Sequence, residues 1–257
     1  MNIAVITGAS SGLGKFYVDA VAKQNYDEVW IIARRKEILE QIASEHNNIA
    51  VKVLPLDLTK DEDLETYKTE LKTSGATVKL LINNAGFGKL GDFDAMSPVS
   101  CGGMIDLNCK ALTLLTNITL AFMKEKSEII NVCSIAAFAP NPRMAVYSST
   151  KAYVFSFSKA LREELKKRKI NVMAVCPGPM DTEFLSLADI EPGSSKTFDT
   201  LPRVNPKKIA FKSIKKSAKS RAVYTESAFY KFYRILGKLL PHNIVMKMSK
   251  TYKTKKC

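Results

Sequence analysis

Asn2-Ile3-Ala4-Val5-Ile6-Thr7-Gly8-Ala9-Ser10-Ser11-Gly12-Leu13-Gly14 reads as a short apolar strand, a glycine-rich turn and the start of a helix that the apolar spacing carries over 13–23. Strand, glycine turn and helix in that order aim free backbone N–H groups and the positive helix end at a pyrophosphate. Gly8 can turn with positive φ, Gly12 lets phosphate oxygens approach the backbone, and Gly14 lets the helix lie against the strand. The spacing is Gly-x-x-x-Gly-x-Gly, not the Gly-x-Gly-x-x-Gly of the commonest dinucleotide fold. Alone it also fits an ordinary tight turn between a strand and a helix.

Outward from that unit the pattern repeats. Strands are expected over 28–33, 49–56, 79–82, 129–133, 170–176 and 221–225, alternating with helices over 35–46, 61–72, 99–124, 145–168 and 207–219. Such alternation predicts an α/β fold: a single doubly wound Rossmann-type parallel sheet of about seven strands with helices on both faces. One domain is expected over 1–225, with the irregular stretch 183–205 serving as a substrate lid over the sheet's carboxyl edge. Residues 226–257 are expected to form a basic helical extension packed on that domain. In the helix over 99–124, Leu107, Ala111, Leu114, Leu115 and Ile118 make an apolar stripe. Ala152, Phe155 and Leu161 offer a face for a subunit contact on the helix over 145–168.

The second strand ends in Arg34-Arg35, and Arg34 lies 20 positions after Gly14, where an NAD site places an acid for the ribose 2′-OH. A guanidinium there suits a 2′-phosphate, so NADP(H) is favoured over NAD(H). Asp57 and Leu58 end the third strand and would sit by the adenine edge. In Asn83-Asn84-Ala85-Gly86 the small residues leave room for a cofactor while the asparagines can pin neighbouring strands.

Tyr147-Ser148-Ser149-Thr150-Lys151 places a phenol and an ammonium at i and i+4 on one helix face. An ammonium so held lowers a phenol's pKa from about 10, which lets the tyrosine exchange a proton with a carbonyl oxygen near neutrality. Ser134 ends an apolar strand and offers a hydroxyl at its tip. Alone, the Tyr/Lys spacing is a common solvated helix pair worth about 0.3 kcal/mol.

The 257 residues are 46% hydrophobic and 25% charged, which is ordinary for a globular protein with a large core. No apolar run reaches the roughly 18 uncharged residues of a membrane span, and the first residues run straight into a strand without a leader pattern. Five dispersed cysteines (Cys101, Cys109, Cys133, Cys176, Cys257) read as reduced thiols of a cytoplasmic protein, with no metal site expected. The net charge of +14 is confined to one end. Residues 206–257 hold fifteen Lys or Arg against one acid, Glu226, whereas residues 1–205 carry 24 charges of each sign. This basic end reads as a solvated lysine surface, or as attraction to anionic substrates, nucleic acid or lipid headgroups. Phe229, Phe232, Tyr233, Leu236 and Leu240 share one helical face there, continued by Ile244, Val245, Met248 and Tyr252 after Pro241. They suit a helix pair closing the core, a dimer contact, or a helix lying on a membrane surface. Nucleic acid is not expected, since no recognition module accompanies the charge.

Together these pieces resemble the short-chain dehydrogenase/reductase superfamily, in its branch of about 250 residues. The match runs in register over residues 3–182: Thr7-Gly8, Gly12, Gly14, Asn83 to Gly86, Asn108, Ser134, Tyr147 with Lys151, and Pro177-Gly178 with Thr182. The resemblance implies that Tyr147 is the acid/base and that Lys151 lowers its pKa and binds the nicotinamide ribose. It implies that Ser134 bonds the substrate oxygen, that Asn108 holds a relay water, and that Thr182 meets the carboxamide. It also implies cofactor contacts from Ser10, Ser11, Leu13, Arg35, Ala85, Pro177 and Gly178, and a homodimer or homotetramer. Cys133 replaces the serine or glycine of many relatives, with little effect expected. The function expected is NADPH-dependent reduction of a small-molecule ketone to an alcohol. The alternatives are reduction of a 3-oxoacyl thioester of lipid metabolism and, remotely, a non-catalytic dinucleotide-binding regulator, against which the complete Asn/Ser/Tyr/Lys set argues.

Overall fold

The computed structural model describes residues 1–191, 193 and 195–248. In chain order its elements are β1 (Asn2–Thr7), α1 (Gly12–Val21), β2 (Glu28–Ile32), α2 (Lys36–Ser44), β3 (Ala50–Leu54), α3 (Asp61–Ser74) and β4 (Thr77–Asn83). Next come α4 (Pro98–Ile105), a π-helical stretch (Asp106–Ala111), α5 (Leu112–Leu120), β5 (Glu128–Val132), α6 (Ala145–Glu164) and β6 (Asn171–Val175). The chain then forms α7 (Glu183–Leu187), α8 (Lys196–Thr200), α9 (Pro206–Ser217), β7 (Val223–Tyr224), α10 (Ala228–Leu239) and α11 (His242–Met248).

The seven strands form one parallel sheet in the order β3-β2-β1-β4-β5-β6-β7, the doubly wound arrangement the alternation predicts. Along β1, Ile3 and Val5 enter one core layer with Trp30, Tyr67 and Leu115, while Ala4 and Ile6 enter the opposite layer with Val18, Leu39 and Ile209. Burial on both faces is why β1 reads as an unbroken apolar run. Buried hydroxyl pairs tie the covering helices together: Tyr17 to Ser213 at 2.9 Å between α1 and α9, and Tyr67 to Thr119 at 2.8 Å between α3 and α5. Strand order reverses between β1 and β4, so the loops at their carboxyl ends part there and leave a crevice.

Three expectations need correction. The helix expected over 99–124 is interrupted by the π-helical stretch and ends at Leu120. The wider turn shifts the helical phase, so Leu114 is exposed while Leu112, Leu115, Thr116 and Thr119 face inward. On α6, Ala152 is exposed whereas Leu161 is in the core. Nine residues at 100° each put those two on opposite sides, and the sheet-facing line is Tyr147, Lys151, Val154, Ser158 and Leu161. In α10 the fully buried residues are Tyr230 and Gly237, and of the expected apolar face Tyr233 packs on the core with its ring centroid 6.1 Å from that of Phe138. A Cβ at position 237 would stand 2.4 Å from the Phe138 carbonyl oxygen, so the helix seats its glycine and leaves Phe229 and Phe232 more than half exposed. Tyr252 and Cys257 lie outside the described residues; Cys101, Cys109, Cys133 and Cys176 are free thiols. Among the described residues no helix is long and apolar enough to cross a membrane.

Candidate active site

The crevice at the carboxyl ends of β1, β4, β5 and β6 deepens into a cavity of about 310 Å³. Its lining includes Gly8, Ser11, Gly12 and Leu13 from the β1–α1 turn, Asn84, Ala85 and Gly86 after β4, and Ser134, Tyr147 and Lys151. Pro177, Gly178 and Thr182 after β6 complete the set of predicted residues that meet there. Gly14 and Asn108 stand directly behind the wall. Ser10, Arg34, Arg35, Asp57 and Leu58 do not line the cavity but lie beyond it, near the ends of β1, β2 and β3.

The turn after β1 requires its glycines. Gly8 has φ +64°, and a Cβ on Gly14 would lie 2.0 Å from the Gly8 carbonyl oxygen. Asn84 locks this turn to β4: its Nδ2 donates to the carbonyls of Thr7 and Gly8 at 3.0 and 3.1 Å, and the Thr7 hydroxyl accepts the amides of Asn84 and Ala85 at 3.0 Å each. Asn83 extends the pinning inward, donating to Asn131 at 2.8 Å and Thr116 at 2.9 Å. The asparagines therefore pin strands, as expected. At the start of α1, Ser11 makes no side-chain cap and the first turn holds no acid. Leading amides of a ten-residue helix thus face the cavity without a side-chain partner, a fit for a phosphate-bearing ligand.

Ser134 follows β5 and caps a 3₁₀ turn, its Oγ accepting the Ala136 amide at 3.1 Å, and it lines the same cavity as Tyr147. Tyr147 is 7% exposed. Burial pushes its phenol above the ordinary tyrosine value, opposed by the nearby Ser134 side chain. This corrects the expectation that the ammonium sets the pKa: desolvation of the phenolate is the largest cause, and Lys151 is not among the groups that shift it. Lys151 stands behind the ring, its Nζ 5.8 Å from the ring centroid and donating to the Val132 carbonyl at 3.0 Å. Burial pulls that ammonium below the usual lysine value. Cys133 lies underneath, its thiol donating to the Lys151 carbonyl at 3.0 Å, so it anchors α6 rather than standing idle.

Asn108 sits in the π-helical stretch and is 1% exposed. Its Oδ1 accepts the Phe87 amide at 3.0 Å; its Nδ2 donates to the Phe87 carbonyl at 2.8 Å and to Thr150 at 3.0 Å. The side chain is spent on holding the loop after β4 against α6, so any contact with a relay water falls to its main chain.

At the outer end, Arg34 is largely exposed and 4.0 Å from Asp57. Burial works against ionisation of Asp57, but hydrogen bonds from Thr59 and the charges of Arg34 and Lys60 hold its carboxyl below the usual range. Arg35, still exposed, reaches across to the glycine turn: it donates to the Ser10 hydroxyl and carbonyl at 3.2 Å and pairs with Glu183 at 3.1 Å. It couples the glycine turn to α7. Leu58 is buried in the core.

Sequence reading missed the apolar wall opposite the strand ends. Met144, Met180, Phe184, Leu185, Phe198, Leu201, Phe229, Tyr230 and Tyr233 all line the cavity. The Phe184 ring centroid is 5.7 Å from that of Tyr147. A Cβ on Gly178 would lie 2.3 Å from the buried Tyr230 ring, whose hydroxyl donates to the Pro202 carbonyl at 2.7 Å. The signals available were the irregular 183–205 stretch and the aromatic helical face that begins at Phe229, neither of which carries a motif that ties it to the strand ends.

A family model described as short chain dehydrogenase matches residues 2–190. The chain is 34% identical over 186 residues to human 17-beta-hydroxysteroid dehydrogenase type 3, covering 70% of this chain and 59% of that one. It is 28% identical over 251 residues to rat very-long-chain 3-oxoacyl-CoA reductase, covering 92% and 73%. Among solved structures, a short-chain dehydrogenase from Sphingobium yanoikuyae in complex with NADPH superposes with a TM-score of 0.79 at 27% identity, covering 100% of this chain and 99% of that one. The chain belongs to the short-chain dehydrogenase/reductase family, oxidoreductases acting on CH–OH and C=O groups.

Proposed function

We propose that this short-chain dehydrogenase uses NADPH to reduce the ketone of a bulky apolar substrate to an alcohol. The observation that carries the reading is the pair of hydroxyls, Ser134 and Tyr147, that line one cavity whose facing wall is apolar. The open amides of α1 and the room at Gly8 and Gly12 suit the pyrophosphate, and the exposed Arg34 suits a 2′-phosphate. When bound, the reduced nicotinamide supplies hydride to the carbonyl carbon.

The residues of this chain do the rest. Burial keeps Tyr147 protonated at neutral pH, the state needed to donate to the carbonyl oxygen. Ser134 donates a hydrogen bond to the same oxygen and stabilises its developing charge. Lys151, fixed by the Val132 carbonyl, faces the phenolate that remains and stabilises it. Asn108 is a positioning residue that keeps the Phe87 loop and α6 in register. Phe184, Leu185, Phe198 and Leu201 line the cavity and would give an apolar bed for the substrate, which supports a role for this segment in substrate choice.

A 3-oxoacyl thioester is the second reading, favoured by the likeness to the rat reductase over 92% of this chain and by the basic 206–257 end, which suits the phosphates of an acyl carrier. A panel of ketones, steroids and acetoacetyl thioesters, offered with NADPH and with NADH, separates the two. Turnover of apolar ketones or steroids with NADPH is expected. Higher kcat/KM with the thioesters would move the assignment to the second reading, and no turnover in either direction would overturn both.

A further inference from the structure

We propose that α10 and α11 dock this protein on an anionic membrane surface. Helix α10 has three sides. Tyr230 and Gly237 face the domain. A second side carries Phe232, Ile235 and Leu239, which are 58%, 52% and 72% exposed and follow one another at spacings of three and four, so they form one line along the helix. Phe229 is also half exposed at the start of α10, and Ile244 on α11 adds a further exposed apolar side chain. The third side carries Lys231, Arg234 and Lys238 at the same spacings. An exposed apolar line bordered by a basic one is the layout of a helix lying in a bilayer interface.

Charge selects the occupant. Residues 227–257 contain eight Lys or Arg and no acid. The acid that precedes this stretch in sequence, Glu226, already holds Lys208 at 3.0 Å, Lys212 at 3.1 Å and the Tyr224 hydroxyl. A second copy of the chain would bring the same uncompensated positive charge to the contact, whereas anionic headgroups complement it. A core helix pair does not account for the face either, since the apolar line points away from the core. Phe229 belongs to the cavity lining as well as to the exposed surface, so it stands at the rim. Docking on this face turns that rim toward lipid and lets an apolar substrate enter without crossing water; this consequence rests on the proposed reductase reading, whereas docking itself does not.

The test is sedimentation of the full chain with phosphatidylcholine vesicles, with and without phosphatidylglycerol, at low and high salt, and it needs no catalysis. Binding is expected to be at least about tenfold tighter to the anionic vesicles and to weaken with salt. The pair Phe232→Glu with Leu239→Glu should lower it about tenfold or more. The triple change Lys231→Gln, Arg234→Gln and Lys238→Gln should remove the preference for anionic lipid. Unchanged thermal melts show that these exposed changes leave the fold intact. Equal binding of the wild type to both vesicles, or binding to neither, overturns the proposal. So does a dimer that Phe232→Glu splits while vesicle binding stays the same, because the face would then belong to a second copy.

Discussion

The two walls of the cavity are built from different materials. The strand-end wall, residues 7–182, is a lattice of short polar contacts in which Thr7, Asn84, Asn108, Ser134 and Lys151 each have a named partner about 3 Å away. The facing wall, drawn mainly from residues 183–233 with Met144 and Met180, holds Phe184, Phe198, Phe229 and Tyr230, and it meets the strand-end wall where Tyr230 packs against Gly178. Proton transfer needs atoms fixed to fractions of an ångström, which only directional bonds supply. Binding an apolar group needs area and shape, which apolar side chains supply without a fixed motif. The electrical contrast runs the same way: the first 205 residues are balanced, and the excess charge lies in the last fifth of the chain.

The largest test of this contrast is Tyr147→Phe. Loss of the one proton donor should lower kcat by about 10²–10⁴-fold while the dissociation constant for NADPH, read by fluorescence titration, changes little. Retained turnover would mean that the polar wall does not perform the chemistry. Next is Arg34→Asp, expected to weaken NADPH by about 10–100-fold and NADH far less, measured as the ratio of their kcat/KM values. Equal affinities in the wild type would remove the basis for it.

Gly178→Ala probes the seam between the walls. Its methyl would drive against the fixed Tyr230 ring, so a loss of about 1–3 kcal/mol in urea unfolding is expected, with KM for an apolar ketone rising more than kcat falls. A silent substitution would show that α10 is free to move away from the site.

The smallest effect belongs to Glu226→Gln. Although burial opposes ionisation, bonds from Tyr224, Lys208 and Lys212 hold this carboxyl at about 2. Its unfolded value is about 4.3, so its stabilisation is present above that pH and is lost as pH falls toward 2. The change should cost about 1 kcal/mol at neutral pH, roughly 2–4 °C in Tm, and flatten the acid limb of the stability profile between those two values.

Legibility in the sequence follows the same division. Gly8, Gly14 and Asn84 were readable because a backbone turn or a packed strand–helix contact admits few residue types. The strands were readable because a sheet buried on both faces leaves continuous apolar runs. The π-helical turn that carries Asn108 was not readable, since Asp106 to Ala111 fit an α-helix locally and only the Phe87 and Thr150 contacts select the wider turn. Nor was the state of Tyr147: the Tyr/Lys spacing is local, but the desolvation that outweighs it comes from Phe184, the Gly88 loop and the sheet.

By itself the sequence determined the parallel sheet, the glycine turn that opens α1 and the Tyr147/Lys151 pair on one helix, because each depends on backbone conformation or on spacing within one element. The tertiary structure alone decided which face of α10 turns inward, which aromatic side chains wall the cavity, and how far burial raises the phenol. Those outcomes depend on contacts between segments far apart in the chain, such as Gly237 against Phe138 and Gly178 against Tyr230, and no local pattern encodes the shape of a partner on another element.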